Sequence, residues 1–366
     1  MYSKRLVSVG LAAVISLAIA LPVFAQGNEN KDYNSIQDER DQKKKRQMLE
    51  KFLKDYPNSQ HRPQYDIDLI TLYYGNKDWK LMVDHAESFG QTQANSDAKM
   101  RSNFYTLAME AARQANNEAK YNEFADKALA ADPNNMSVLM TMARGLAENP
   151  PTDAAAKTAA MTKAMGYAER ASKITKSDMM TEAEWHGVQS RLHSITGTIY
   201  FNQSKWPEAN TEFNEYLKTN PKDGVIQFRN GVAYYSQLQK TLVILQELNA
   251  EAQKAQKADA DLGPYIDRLN ARNKEFEEQR DQTIDSMAKA LAIGGPFAST
   301  AEQIMNPLFK QKTGSNDGQL AYIASKRTEL DALTPLPTPV VGGARGTGGP
   351  GAPGGNGLSV PPANAR

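Results

Sequence analysis

One spacing narrows the folds open to this chain more than any other feature. The pattern Gly-x-x-Tyr stands at Gly197 and Tyr200 and returns 34 residues later at Gly231 and Tyr234. A period of that length belongs to repeat architectures, where each supersecondary unit leaves an apolar face that only its neighbour can cover. Residues 194–221 show the unit most clearly and read as two short helices joined by a tight turn. At 366 residues the chain is long enough for two ordinary domains or one elongated stack. Its middle is dominated by Ala, Glu, Lys, Gln and Asn without long β-branched runs, which favours helix over sheet.

Weaker copies flank the clear one. Tyr73 precedes Trp79 by six residues, as Tyr200 precedes Trp206, and Tyr74 and Phe89 then match Phe201 and Tyr216. A third copy covers residues 103–133, with small Ala125 and Ala128 allowing close helix approach and Pro133 stopping the helix. Residues 136–148 and 153–174 make another pair across Asn149-Pro150-Pro151, the second capped by Thr152 or Asp153. Met136, Met140, Met142, Met161 and Met165 in this pair read as core filler. Met48, Phe52, Leu53 and Tyr56 form an apolar helical stripe further upstream.

The ends differ from the middle. Residues 1–25 combine basic Lys4 and Arg5, an apolar run, and small Val23 and Ala25, the pattern of a cleaved signal peptide. The competing reading, a membrane anchor, meets an apolar run near the short limit for spanning a bilayer. Residues 26–45 read as a flexible lead-in, with Lys43-Lys44-Lys45-Arg46 on an exposed helix face that follows acidic residues. The repeat region then covers 46–332. Within it, residues 247–293 are dense in charge and amide and read as a polar helical arm, starting a helix at Pro264 and stopping at Gly294-Gly295-Pro296. Two closing helices follow. Residues 333–366 hold 9 of the 24 glycines and 7 of the 18 prolines, a composition expected to stay disordered.

Few residues suggest chemistry. The chain has no cysteine, which removes disulfides, thiolate metal sites and a Cys nucleophile. Its four histidines are His61, His85, His186 and His193, with no His-Glu-x-x-His. His186 and His193 lie about 10 Å apart along a helix axis, too far for one metal. Neither a nucleophile elbow nor a phosphate-binding loop occurs. The expectation is a protein with no enzymatic activity, no cofactor and no metal.

The residues Gly197-x-x-Tyr200, Ala209-x-x-x-Phe213 and Pro221 resemble the tetratricopeptide repeat (TPR), although His193 and Thr196 stand where its consensus prefers Trp and Leu. Bacterial exported members are the type it resembles. The resemblance implies an all-α, right-handed α-solenoid of TPR-like helix pairs, with a polar helical insertion and a disordered C-terminal tail. It also implies a concave groove that binds a protein or peptide segment. Carried over residue by residue, that groove is lined by Arg191, Thr198, Phe201 and Asn202 in one unit. Phe228, Arg229, Val232 and Tyr235 follow in the next, with Tyr74 near the N-terminus. Phe201, Phe228 and Tyr235 have a second reading as packing between units. Ser194 and Thr198 occupy positions where a carboxylate clamp needs Lys and Asn, which disfavours that ligand class.

These readings converge on an exported scaffold, periplasmic or extracellular, that mediates protein–protein interaction. A formal charge of +1 supplies no global field for nucleic acid, and no stable membrane insertion is expected after signal cleavage. The competing expectation is a structural, envelope-organising protein that uses the arm and the tail as tethers.

Overall fold

A computed structural model describes residues 27–92 and 97–333. The expected signal peptide at 1–25 and the expected tail beyond Leu333 lie outside the described residues. Among the described residues there are fourteen helices and no strand. The first half contains α1 (Gly27–Asp38), α2 (Gln42–Asp55), α3 (Arg62–Asn76), α4 (Trp79–Thr92), α5 (Ala98–Gln114), α6 (Glu118–Ala131), α7 (Met136–Glu148) and α8 (Ala154–Ser172). The second contains α9 (Glu182–Asn202), α10 (Trp206–Thr219), α11 (Gly224–Lys257), α12 (Gly263–Ile293), α13 (Ala298–Thr313) and α14 (Gln319–Ala332). The fold is an all-α solenoid of TPR-like helix pairs: α3 with α4, α5 with α6, α7 with α8, α9 with α10, and α11 with α12. First helices of adjacent pairs also meet, α3 with α5, α7 with α9, and α9 with α11.

Local chemistry sets the helix ends. Asp97, Asn117, Asn135, Asp153 and Asp223 each accept a backbone N–H in the first turn of the helix that follows. Thr181 and Glu184 close a reciprocal capping box at the start of α9. Four hairpin turns share one device. Lys77, Asn116, Ser204 and Asp259 all adopt left-handed backbone, with φ between 54° and 60°. In each turn the next residue's N–H bonds back across it: Asp78 to Tyr73 O, Asn117 to Ala112 O, Lys205 to Tyr200 O and Ala260 to Ala255 O, at 2.8–3.0 Å. The same bond closes a helix C-terminus in the Schellman motif. Its recurrence marks these turns as copies of one unit although their residues differ.

Two glycines set how closely the helices of a pair cross. Phe213 of α10 lies over Gly197 of α9, and Met287 of α12 lies over Gly231 of α11. Ala209, expected in the first gap, is fully buried nearby. A network of amides joins α10 to α11. Asn210 donates to Asn230 O at 2.9 Å, Asn230 donates to Asn214 Oδ1 at 2.9 Å, and Gln237 donates to Asn210 Oδ1. Buried polar groups that satisfy one another in this way specify one register between units.

The structure departs from expectation at the N-terminal end of the described residues. Residues 27–38 of the expected flexible lead-in instead form α1, and Ile36 is in the core. The Tyr33 ring stacks on His61 at 3.9 Å and its carbonyl accepts the Tyr65 hydroxyl. Two apolar anchors in twelve residues are too few to show as a stripe. The polar arm takes the form of a helical hairpin: α11 runs unbroken for 34 residues and α12 returns for 31, and the arm is the outer half of that pair. From Gln279 onward α12 is core, with Ile284, Met287 and Ala288 buried. The two closing helices, α13 and α14, both pack on α12.

Burial forms a chain of clusters. One runs from Ile36 to Ile199, a small one joins α10 to α11 around Phe213 and Ile226, and one from Phe228 to Phe309 unites α11 to α13. The methionines predicted as filler contribute to the first, with Met142 and Met161 buried.

Candidate functional site

The first helices place one set of polar side chains along a common face. In α7, Val138, Leu139, Met142, Ala143 and Ala147 turn into the core, leaving Arg144 and Glu148 outside it. In α9, Arg191, Thr198 and Asn202 recur at spacings of seven and four, close to two turns and one turn, and so share a stripe. In α11, Arg229 lies between buried Phe228 and Asn230 and reaches toward α9.

Side chains bridge the successive helices there. Asn202 donates to Ala147 O at 2.7 Å, satisfying a carbonyl in the last turn of α7. Arg229 donates to Thr198 Oγ1 at 3.2 Å, while the Thr198 hydroxyl donates to Ser194 O at 2.9 Å. Thr198 is buried. Thr198 and Asn202, expected to contact a partner, therefore serve first to fasten α9 to its neighbours.

The apolar members of the expected groove divide similarly. Phe228 is a correction: it is 5% exposed and stacks on Phe297 at 4.7 Å, so it packs α11 against the α12–α13 loop. Phe201 is half-buried beside Trp206 and Phe213, with ring centroids at 5.3 and 6.3 Å. Val232 and Tyr235 are half-buried against the C-terminal cluster. Tyr74 is half-buried and meets Trp79 edge-on at 5.4 Å. Burial raises its hydroxyl pKa, with Glu110 adding to the shift and Arg113 opposing it. Tyr74 thereby lies within reach of α5.

Electrostatics distinguish Arg191 and Arg229. Desolvation, followed by the like charge of Arg144, holds the Arg191 guanidinium below the ordinary arginine value. Arg191 is nonetheless exposed. Arg229 is held down by desolvation, which Glu148 and Asp223 only partly offset. Tyr121, on α6, lies beside Gly145 of α7. Burial raises its hydroxyl pKa, and the guanidiniums of Arg113 and Arg144 work against that.

A second polar cluster was not visible in the sequence. Asp66, fully buried on α3, lies 3.0 Å from His85 Nε2 on α4 and 3.6 Å from Arg62 Nε. Arg62 also donates to Leu53 O at 2.9 Å. A cavity of about 260 Å³ adjoins them, lined by Glu50, Arg62, Tyr73, His85 and Ser88 among others. Ser88, His85 and Asp66 are the residue types of a hydrolytic triad, but the Ser88 hydroxyl donates to the backbone carbonyl of His85 at 2.8 Å. The cluster ties α2, α3 and α4 together. Among the described residues no group of three or more His, Asp or Glu is arranged to hold a metal. No helix among them is long and apolar enough to cross a membrane.

No protein-family model matches this chain, and no curated protein matches it. Among solved structures, a tetratricopeptide repeat protein from Parabacteroides merdae is similar at 10% identity and a TM-score of 0.40, covering 77% of this chain and 100% of that one. A similarity of this size says nothing about ligand or partner.

Proposed function

We propose that this protein is an exported, non-enzymatic TPR-like scaffold that binds a segment of another protein in a groove lined by α3, α5, α7, α9 and α11. The observation that carries the reading is the row of polar and aromatic side chains on that face: half-buried Tyr74, Arg144, Arg229 and Tyr235, with exposed Arg191. Side chains held between successive helices by bridges such as Asn202 to Ala147 form a preorganised surface, and a segment docking there loses little further freedom on the scaffold's side. Export rests on the composition of residues 1–25, and the compartment follows as periplasmic or extracellular.

Photo-crosslinking in the producing cell tests this. Benzoylphenylalanine replaces Tyr74 or Tyr235, and exposed Lys163 on α8 serves as the control. The expected result is one discrete adduct shared by the two tyrosine positions and missing at Lys163. Equal adducts from Lys163, or none from any tyrosine position, would refute the groove reading. Intact mass of the native protein should begin at Gln26, and retention of residues 1–25 would refute cleavage.

A further inference from the structure

We propose that the cavity between α2, α3 and α4 binds a small, uncharged, polyhydroxylated ligand, a single sugar ring. The site is separate from the expected groove, because none of its lining residues belongs to that set.

The lining sets the chemistry of the ligand. α2 and α4 both pack on α3, and the cavity of about 260 Å³ adjoins all three helices. Six of its eight lining residues carry hydrogen-bonding side chains, and only Leu53 and Leu69 are apolar. A surface of this kind offers little to a lipid or a bare aromatic ring. Its charges pair off. The Glu50 carboxylate accepts from Arg46 Nε at 2.8 Å and from the Tyr73 hydroxyl at 2.9 Å. The Arg62 guanidinium stands 3.6 Å from fully buried Asp66. Lys54, one helical turn beyond Glu50 on α2, puts an ammonium next to that carboxylate at the rim. With cation and anion answering each other, no strong field remains to select an ion.

What remains is a mixed set of donors and acceptors. Glu50 accepts, Lys54 and Arg62 donate, and the Ser88 oxygen keeps its lone pairs after giving its proton to His85 O. Among the described residues, Arg62 Nε and His85 Nε2 are buried without a hydrogen bond, the second 3.0 Å from Asp66 Oδ1 but lacking the alignment for one. Buried donors left open in a native fold point to an oxygen supplied from outside the protein. Neighbouring hydroxyls, each able to donate and to accept, match this rim on both counts. A carboxylate only accepts and would meet Glu50, whereas an ammonium only donates and would meet Lys54. The volume lies just below the roughly 300–1,000 Å³ of sites for drug-sized ligands, which suits one ring and not an extended chain.

Saturation-transfer NMR on the protein purified from the producing cell tests this. The probes are the methyl glycosides of glucose, galactose, mannose and N-acetylglucosamine. At least one should receive saturation at millimolar concentration, while cyclohexanol, a ring of similar size with a single hydroxyl, should receive little. Glu50→Gln and Lys54→Met should each weaken the bound glycoside about threefold or more, the scale of one lost hydrogen bond. Both side chains reach solvent, and unchanged melting curves would show that the variants remain folded. Saturation of none of the four glycosides overturns the proposal. So does an affinity unmoved by both variants, or equal saturation of cyclohexanol. Displacement of the glycoside by acetate, glycine or inorganic phosphate at a lower concentration than the glycoside itself requires would assign the cavity to an ion and overturn it as well.

Discussion

A Cβ on Gly197 would stand 2.6 Å from Phe213 Cδ1, well inside van der Waals contact, and Glu212 Cβ would be 3.2 Å away. A rigid ring pinned in the core cannot give way, so the α9–α10 crossing must open instead. At Gly231 the obstruction is Met287 Cε at 2.8 Å, the end of a flexible chain, with Ser286 Cβ at 3.2 Å. Gly187, also within α9, would meet nothing within 4 Å. The three positions should therefore separate on substitution by alanine. Gly197→Ala is expected to destabilise by about 1–3 kcal/mol despite its better helix propensity. Gly231→Ala should cost less, and Gly187→Ala should stabilise by roughly 0.5–1 kcal/mol. Urea unfolding midpoints of the three variants check the order. Gly197→Ala matching Gly187→Ala would mean that the close approach does not constrain the pair. Tyr200 and Tyr234, the other half of the recurring pattern, are both half-buried. The pattern was readable because one volume constraint recurs where two helices cross.

At the scale of helices, the closing part of the stack is held by an ion network. Asp285 of α12 accepts from Lys289 at 2.8 Å and from Lys326 of α14 at 2.6 Å, and Glu329 accepts from Lys326 at 2.8 Å. Burial alone would raise the Asp285 carboxyl, but the hydrogen bonds of the two ammonium groups outweigh it and hold it below its ordinary 3.8. The Lys326 hydrogen bond likewise lowers Glu329 from its ordinary 4.5. Both carboxylates bind a proton less readily folded than unfolded. Their contribution is therefore complete above the ordinary values and declines as pH falls through the lowered, folded ones. Lys326→Met is expected to destabilise by roughly 1 kcal/mol at pH 7, since the network is only partly shielded from water. Melting temperatures of the two proteins should converge below pH 3.8, the ordinary Asp value. A constant difference from pH 7 to pH 3 would assign the effect to packing of the lysine stem. The pairs within each helix follow the i, i+4 and i, i+3 spacing, but no periodicity exposes the link between Asp285 and Lys326, which join two different helices.

For the whole molecule, the separation of the core into clusters predicts uneven stability. A stack in which each unit touches mainly its neighbours unfolds as coupled segments, not as one body. Phe104 is 1% exposed and stacks on Phe89 at 3.6 Å within the first cluster. Phe104→Ala is expected to cost about 3–5 kcal/mol. Hydrogen exchange should then lose most of its protection in α3–α6 and much less in α12–α14. A uniform loss along the chain would show that the clusters act as one cooperative unit.

By itself the sequence determined the helical unit, its period, most of its boundaries and the glycines at its crossings. Each of these depends on residues close in the chain, as Asp153 at the start of α8 and Pro264 at the start of α12 show. Only the tertiary structure decided which side chains were left outside the core. Phe228 was taken into the core by Phe297, about seventy residues away, while Thr198 and Asn202 were drawn into bonds with α11 and α7. The Asp66–His85 contact likewise depends on neighbouring helices. Propensity and capping act over a few residues, whereas burial and charge pairing are settled by whatever the fold brings alongside.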